Sequence, residues 1–262
     1  MSNPKPLIEF EDVVVQRDRT LALDRLSLRI DDGERVAILG PNGSGKSTLV
    51  ETLTRDVFPL AGRPGSRVRI YGRDTWDLFE LRGLLGVVTN ELVRSCTRHY
   101  TAFETALSGF FGSIGIWPHH DVTAEMEERA LAALEQLEIA HLADRPLTEM
   151  SSGEVRRAVI ARALVHAPRA LVLDEPTNSL DICSRREVHA AMSQLARKGV
   201  SLVLVTHQLE DIVPEIERVV TVRRGRVLHD GPKAEILRPG PLRELFGIDV
   251  EVRELSGVYF AW

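Results

Sequence analysis

Hydrophobic and polar positions alternate over residues 7–15 and again over 26–30, which predicts two antiparallel strands of a half-buried sheet. Asp31, Asp32 and Gly33 then mark a turn into residues 35–39, an apolar run that predicts a buried strand. Further short strands are predicted at 68–71 and 85–88. From about residue 91 to 165 the period becomes helical, most clearly over 124–140, where Ala, Leu and Glu dominate. Buried-strand runs return at 170–173 and 201–205, separated by a helix over about 184–198. Residues 219–228 predict a hairpin turned at Gly225, and the tail offers another strand pair at 246–252 and 257–262. The expected organisation is one α/β domain over residues 1–262. Its core takes 7–90 and 166–235, a helical subdomain is inserted at about 91–165, and the tail covers 236–262.

The chemistry sits at the ends of the predicted buried strands. Gly40-Pro41-Asn42-Gly43-Ser44-Gly45-Lys46-Ser47-Thr48 joins the strand at 35–39 to a helix expected from Ser47 onward. In that setting glycines let backbone N–H groups converge on phosphates, Lys46 supplies charge to the outer phosphates, and the Ser47 hydroxyl can ligate Mg²⁺. The strand at 170–173 delivers Asp174 and Glu175 on different sides, so two jobs can be divided. Asp174 would hold the Mg²⁺ shell through water, and Glu175 would polarise a water attacking the γ-phosphate. Ser151-x-x-Glu154 forms a capping box that opens a helix, leaving N–H groups able to face an anion.

Bulk composition narrows the setting. Among 262 residues, 44% are hydrophobic and 27% charged, with no apolar run near the ~18 residues needed to cross a bilayer. The polar start, residues 1–6, lacks an apolar leader core, so a cytoplasmic chain is expected. A net charge of −5 gives no global footprint for nucleic acid, and no direct nucleic-acid binding is expected. The short pairs Arg67 and Arg69, Arg156 and Arg157, Arg185 and Arg186, and Arg223 and Arg224 read as solvated surface. Cys96 and Cys183 are isolated and read as reduced thiols, and His119-His120-Asp121 reads as a solvated loop rather than a metal site.

With Ser151 and Gly153 in place, the chain resembles the ATP-binding cassette (ABC) ATPases, whose signature is usually Leu-Ser-Gly-Gly-Gln. Met150, Ser152 and Glu154 depart from that wording. The resemblance covers about residues 7–235 and implies a P-loop ATPase fold. That fold has a RecA-like core, an N-terminal antiparallel β-subdomain and an inserted α-helical subdomain. It implies that Lys46, Glu175 and His207 are catalytic, with His207 as the switch histidine bonding the γ-phosphate. Ser179-Leu180-Asp181 looks like the loop that crosses between subunits, and Ser151, Ser152, Gly153 and Glu154 would complete the partner's phosphate site. Where the family has a metal-contacting glutamine, this chain has Asn90, one methylene shorter, so contact through a bridging water is expected. No aromatic lies near Arg17 to stack on adenine, so the guanidinium takes that part.

The implied cofactors are ATP and Mg²⁺, and the implied assembly is a homodimer or a pair with a related ATPase subunit, closing head to tail on two ATP. Lacking a span, the chain would drive a separate membrane permease from the inner face of the membrane, with docking near the Asn90 loop and helical subdomain. Phe103, Phe110, Phe111 and Trp117, interleaved with Gly109, Gly112 and Gly115, suit a groove for that contact, although subdomain core is the simpler reading. The wording at 86–92 and 108–115 looks like the molybdenum-transport/photorepair type. Alternatives are a soluble ABC ATPase acting on nucleic acid or the ribosome, and an ATP-dependent regulator with slow turnover.

Overall fold

The computed structural model describes residues 6–262, so the polar start read above falls largely outside it. In chain order the first elements are β1 (Pro6–Arg17), β2 (Thr20–Asp31), β3 (Arg35–Leu39), α1 (Lys46–Leu53) and β4 (Arg67–Ile70). Next come α2 (Leu78–Leu84), β5 (Leu85–Val88), α3 (Asn90–Cys96), α4 (Ala102–Leu107), α5 (Ala124–Gln136), α6 (Ser152–Leu164), β6 (Ala170–Asp174) and α7 (Ile182–Arg197). The chain ends with β7 (Ser201–Thr206), β8 (Arg218–Arg223), β9 (Arg226–Pro232), α8 (Lys233–Ile236), α9 (Pro239–Phe246), β10 (Val252–Leu255) and β11 (Val258–Ala261). They form two compact units, residues 6–77 with Gly199–Trp262, and Leu78–Lys198.

In the first unit β3 lies between β7 and β8, parallel to both, pairing Leu39 with Thr206 and with Thr221. Val36 to Leu39 are fully buried, which is why this strand is continuously apolar instead of alternating. β9 returns antiparallel to β8. A second sheet, ordered β2-β1-β4, shows the alternation expected of a sheet with one wet face: Leu26, Leu28 and Ile30 are buried while Ser27 and Arg29 are exposed. Its first hairpin runs further than the pattern predicts, because Gln16 to Leu21 carry no apolar face, and backbone pairing of Arg17 with Thr20 extends the ladder regardless. β1 breaks register between Phe10 and Val13, where Asp12 takes φ 46° and its N–H donates to Ser27 Oγ at 3.0 Å.

The tail differs from expectation. Phe246 ends a helix, not a strand: α9 starts on Pro239, buries Leu242 and Leu245 at a spacing of three, and stops at Gly247 with φ 77°. The tail hairpin begins only at Val252.

The second unit pairs β5 parallel to β6, with Leu85 opposite Ala170, and packs α6 against α4, α5 and α7. Small residues permit close approach, since a Cβ on Gly86 would lie 2.7 Å from the Ala163 carbonyl oxygen. The aromatic cluster is not core: Phe103, Phe110 and Phe111 are half-buried and Trp117 is 49% exposed. Gly109 is the residue turned inward, where a Cβ would collide with the Arg162 carbonyl. The rings lie outside it, Phe110 edge-on to His166 and Phe111 stacked 4.1 Å from His120.

Candidate functional site

β3 ends at Leu39, and Gly40 N–H donates to Thr206 O at 3.3 Å as the chain leaves the sheet. The loop then needs positive φ at Gly43 (75°) and Gly45 (108°) before α1 begins at Lys46. Gly45 is the N-cap and offers no side-chain acceptor, so the first amides of α1 have no side-chain cap, and no acid stands in the first turn. An uncapped helix end without a carboxylate suits an anion. Lys46 is 4% exposed, and its Nζ donates to Gly40 O at 2.8 Å and Pro41 O at 3.1 Å. Ser44 is buried with its hydroxyl unpartnered, while Asn42, Gly43 and Ser47 are exposed and Pro41 and Thr48 half-buried.

Two more sequence-predicted residues lie in the same unit. His207 follows β7, and its Nε2 lies 3.4 Å from Gln208 Nε2. The turn is braced by a pair that sequence reading missed: buried Thr206 Oγ1 donates to buried Asp211 Oδ2 at 2.6 Å and accepts from Gln208 N–H at 3.0 Å. Arg17, at the end of β1, is ion-paired through Nη2 to Glu51 of α1.

The second unit carries the remaining sequence-predicted residues. β6 is wholly buried and ends on Asp174, 8% exposed, the kind of oxygen donor a hard divalent cation takes. Glu175 takes φ 49°, turning it out of the strand, and its Oε2 accepts from Asn178 Nδ2 at 3.3 Å. Such left-handed backbone at a non-glycine costs of order 1–3 kcal/mol and concentrates at functional positions. Asp181 caps α7: Oδ1 accepts from Ser184 N–H at 2.8 Å and Oδ2 from Ser184 Oγ at 3.1 Å, which lowers its pKa.

The capping box is complete. Ser151 Oγ accepts from Glu154 N–H at 3.3 Å, and Glu154 Oε2 accepts from Ser151 N–H at 2.7 Å. Partial burial opposes the Glu154 carboxylate, but the hydrogen bonds from Ser151, with Arg145 and Arg157 nearby, outweigh it and hold its pKa below the ordinary value. Ser151 and Ser152 are exposed, whereas Gly153 packs so closely that a Cβ would lie 2.9 Å from Ser184 Cβ. The structure thus brings Gly153 and Asp181 together through Ser184, a residue with no sequence-level signal.

Asn90 opens α3 behind Thr89, whose hydroxyl accepts from Leu92 N–H at 3.1 Å. Its carboxamide oxygen accepts from Arg156 Nη2 at 2.9 Å. The reading of Arg156 as solvated surface is therefore corrected: it is 4% exposed, on the face of α6 that packs inward. Spacing hinted at this, because Arg156 lies four residues before Ile160 and three after Gly153, both buried.

The family model described as ABC transporter matches residues 23–178. The chain is 32% identical to the hemin import ATP-binding protein HmuV of Bradyrhizobium diazoefficiens, covering 96% of this chain and 92% of that one. It is 37% identical to the cobalt import ATP-binding protein CbiO of Rhodobacter capsulatus over 82% of this chain and 75% of that one. Among solved structures it resembles a dimeric post-hydrolysis state of the ATP-binding cassette MJ0796 bound to ADP and Pi. There the TM-score is 0.69 with 26% identity, over 86% of this chain and 98% of that one.

Proposed function

The chain belongs to the ABC transporter family as an ATP-binding subunit, and from that premise we propose how its residues divide the work. Its reaction is hydrolysis of ATP to ADP and phosphate, with Mg²⁺, and it serves a transporter permease. The observation that carries the residue assignment is Lys46, a buried ammonium held by the Gly40 and Pro41 carbonyls of a glycine loop, at the first position of a helix with no side-chain cap.

Lys46 and the amides of Gly43 to Thr48 hold the outer phosphates. Ser47 and Asp174 would hold Mg²⁺ through their oxygens, and the Asn90 carboxamide would support it through water. When bound, the ion neutralises charge on the phosphate oxygens. Glu175 polarises the attacking water, and His207 hydrogen-bonds the γ-phosphate. Arg17 stacks on adenine, which requires it to leave Glu51. Ser151, Ser152, Gly153 and Glu154 present the start of α6 to a partner's nucleotide, with Asp181 beside them. This is the basis for a head-to-tail homodimer, or a pair with a related subunit, closed on two ATP.

We place the permease contact at the Asn90 loop and the helical part of the second unit, supported by the half-exposed rings of Phe103, Phe110, Phe111 and Trp117. No helix among the described residues is long and apolar enough to cross a membrane; the likeness to import ATP-binding proteins supports a place at the cytoplasmic face, held by the permease. The wording at 86–92 and 108–115 supports the molybdenum-transport/photorepair subgroup; the names of the hemin and cobalt relatives weigh against it. The test is Glu175→Gln with ATP. Dimer accumulating in light scattering is expected, and a chain that stays monomeric at saturating ATP rules out the two-site sandwich.

A further inference from the structure

We infer that the turn between β8 and β9 is a positioning element for the phosphate loop, acting through Gly225 and the Asp24–Arg226 pair. Gly225 N–H donates to the Ser44 carbonyl oxygen at 2.8 Å, inside the loop. Its own carbonyl accepts from Asp24 N–H of β2 at 2.9 Å. One residue on, Arg226 Nε and Nη2 both donate to Asp24 Oδ2, at 2.9 and 2.7 Å. The hairpin also lies under the start of the loop, since a Cβ on Gly40 would strike the Val222 carbonyl. From β2, the Ala22 carbonyl closes on Gly45 in the same way.

The peptide plane gives this contact a consequence for binding. A trans peptide points its C=O and the following N–H in opposite directions. Fixing the Ser44 carbonyl on Gly225 therefore aims the Gly45 N–H away from the hairpin, as one donor of the phosphate cradle. The turn is built for the task. Arg224 (φ 51°) and Gly225 (φ 74°) form a two-residue hairpin of the kind that matches strand twist. At Gly225 a Cβ would lie 2.7 Å from Ala22 O and 2.9 Å from Asp24 N. Glycine is needed there for its φ and also for the approach that lets its N–H reach the loop.

The inference rests on the loop being the ATP site, and it is tested by titrating the intact chain with a fluorescent ATP analogue and recording unfolding temperatures with and without ATP. Gly225→Ala is expected to weaken ATP by about tenfold, the worth of one well-placed hydrogen bond with its geometry. Its ATP-induced rise in unfolding temperature should shrink accordingly. Should that variant fail to fold, Arg226→Gln and Asp24→Asn serve, because Arg226 is 63% exposed and the pair lies at the surface. They are expected to weaken ATP by about two- to threefold, with recovery in the double variant Asp24→Arg with Arg226→Asp. Native ATP affinity in these variants, with only the nucleotide-free unfolding temperature lowered, would mean a purely structural turn and overturn the inference. Lys46→Ala separates the two failures. If it loses ATP while the turn variants keep it, positioning is wrong; if it too keeps ATP, the loop is not the nucleotide site and both fall.

Discussion

Arg156 Nη2 donates to the Asn90 carboxamide oxygen at 2.9 Å, joining the helix that starts behind Ser151 to the first turn of α3. The guanidinium is almost wholly buried, its Nε and Nη1 have no partner, and burial pulls its pKa down to about 10. A buried cation answered by a neutral oxygen makes that oxygen costly to remove, since leaving a buried charge unanswered costs roughly 3–5 kcal/mol. A carboxamide oxygen has two lone pairs, so one remains on Asn90 for the proposed water-bridged metal contact.

Asn90→Ala should therefore lower stability by about 2–3 kcal/mol in urea unfolding at pH 7. Arg156→Met, which removes the charge and keeps most of the bulk, should cost less. Asn90→Asp should stabilise at neutral pH by pairing the guanidinium. Its carboxyl would have a folded pKa below the unfolded one, so the gain is present above the unfolded value and lost as pH falls through the folded one. Equal stability of native and Asn90→Ala chains would show that this contact holds nothing.

The capping box yields a second prediction because its two members differ in what else they do. Ser151→Ala and Glu154→Ala should each cost about 1 kcal/mol through the lost cap. Only Ser151→Ala should also cut ATP turnover well beyond tenfold, since its hydroxyl is the group proposed to meet a partner's nucleotide. The Glu154 pKa is depressed, so its contribution exists above the unfolded carboxylate value and fades as pH drops through the folded one. Native and Glu154→Ala unfolding midpoints should converge once the pH lies below the folded value. Equal turnover losses in the two variants would reduce Ser151 to a cap.

Much of this site was legible because its parts follow strong local rules. Residues 36–39 are apolar because β3 is covered on both faces, the glycines at 43 and 45 carry the positive φ a strand-to-helix loop needs, and Ser151 with Glu154 has capping-box spacing. What was not legible depends on contacts between distant segments. Arg156 meets Asn90 across 66 residues, and Arg226 meets Asp24 across 202, distances at which sequence periodicity says nothing. Helix α9 was missed because Pro239, Gly240 and Pro241 suggest a loop, whereas prolines are tolerated in a first helical turn.

Close packing at Gly153 gives a third prediction. An alanine methyl there would press on Ser184, whose N–H and hydroxyl both bond Asp181. Gly153→Ala should destabilise by about 1–3 kcal/mol, as overpacking does. Ser184→Gly should recover part of that loss in the double variant by vacating the space. Additive losses in a double-mutant cycle would place the strain elsewhere.

Lys233 fastens the tail. Its Nζ donates to Val213 O at 3.3 Å, Pro214 O at 3.0 Å and Gly257 O at 3.3 Å, the last in the turn of the β10–β11 hairpin. Burial lowers its pKa against the pull of Glu215, Glu254 and Glu217, so the ammonium is retained at a cost. Three carbonyls converging on one cation explain why that cost is met, since hydrogen bonds to a charged donor are worth about 1.5–3 kcal/mol each at most. Lys233→Met keeps the aliphatic stem and removes every donor, which should release the hairpin before it affects the sheet. Limited proteolysis between Gly247 and Val258 should then speed up severalfold, with a drop in global stability of only about 1–2 kcal/mol. Cleavage at the native rate would show that β11 is held by its own side chains and that Lys233 contributes nothing to the tail.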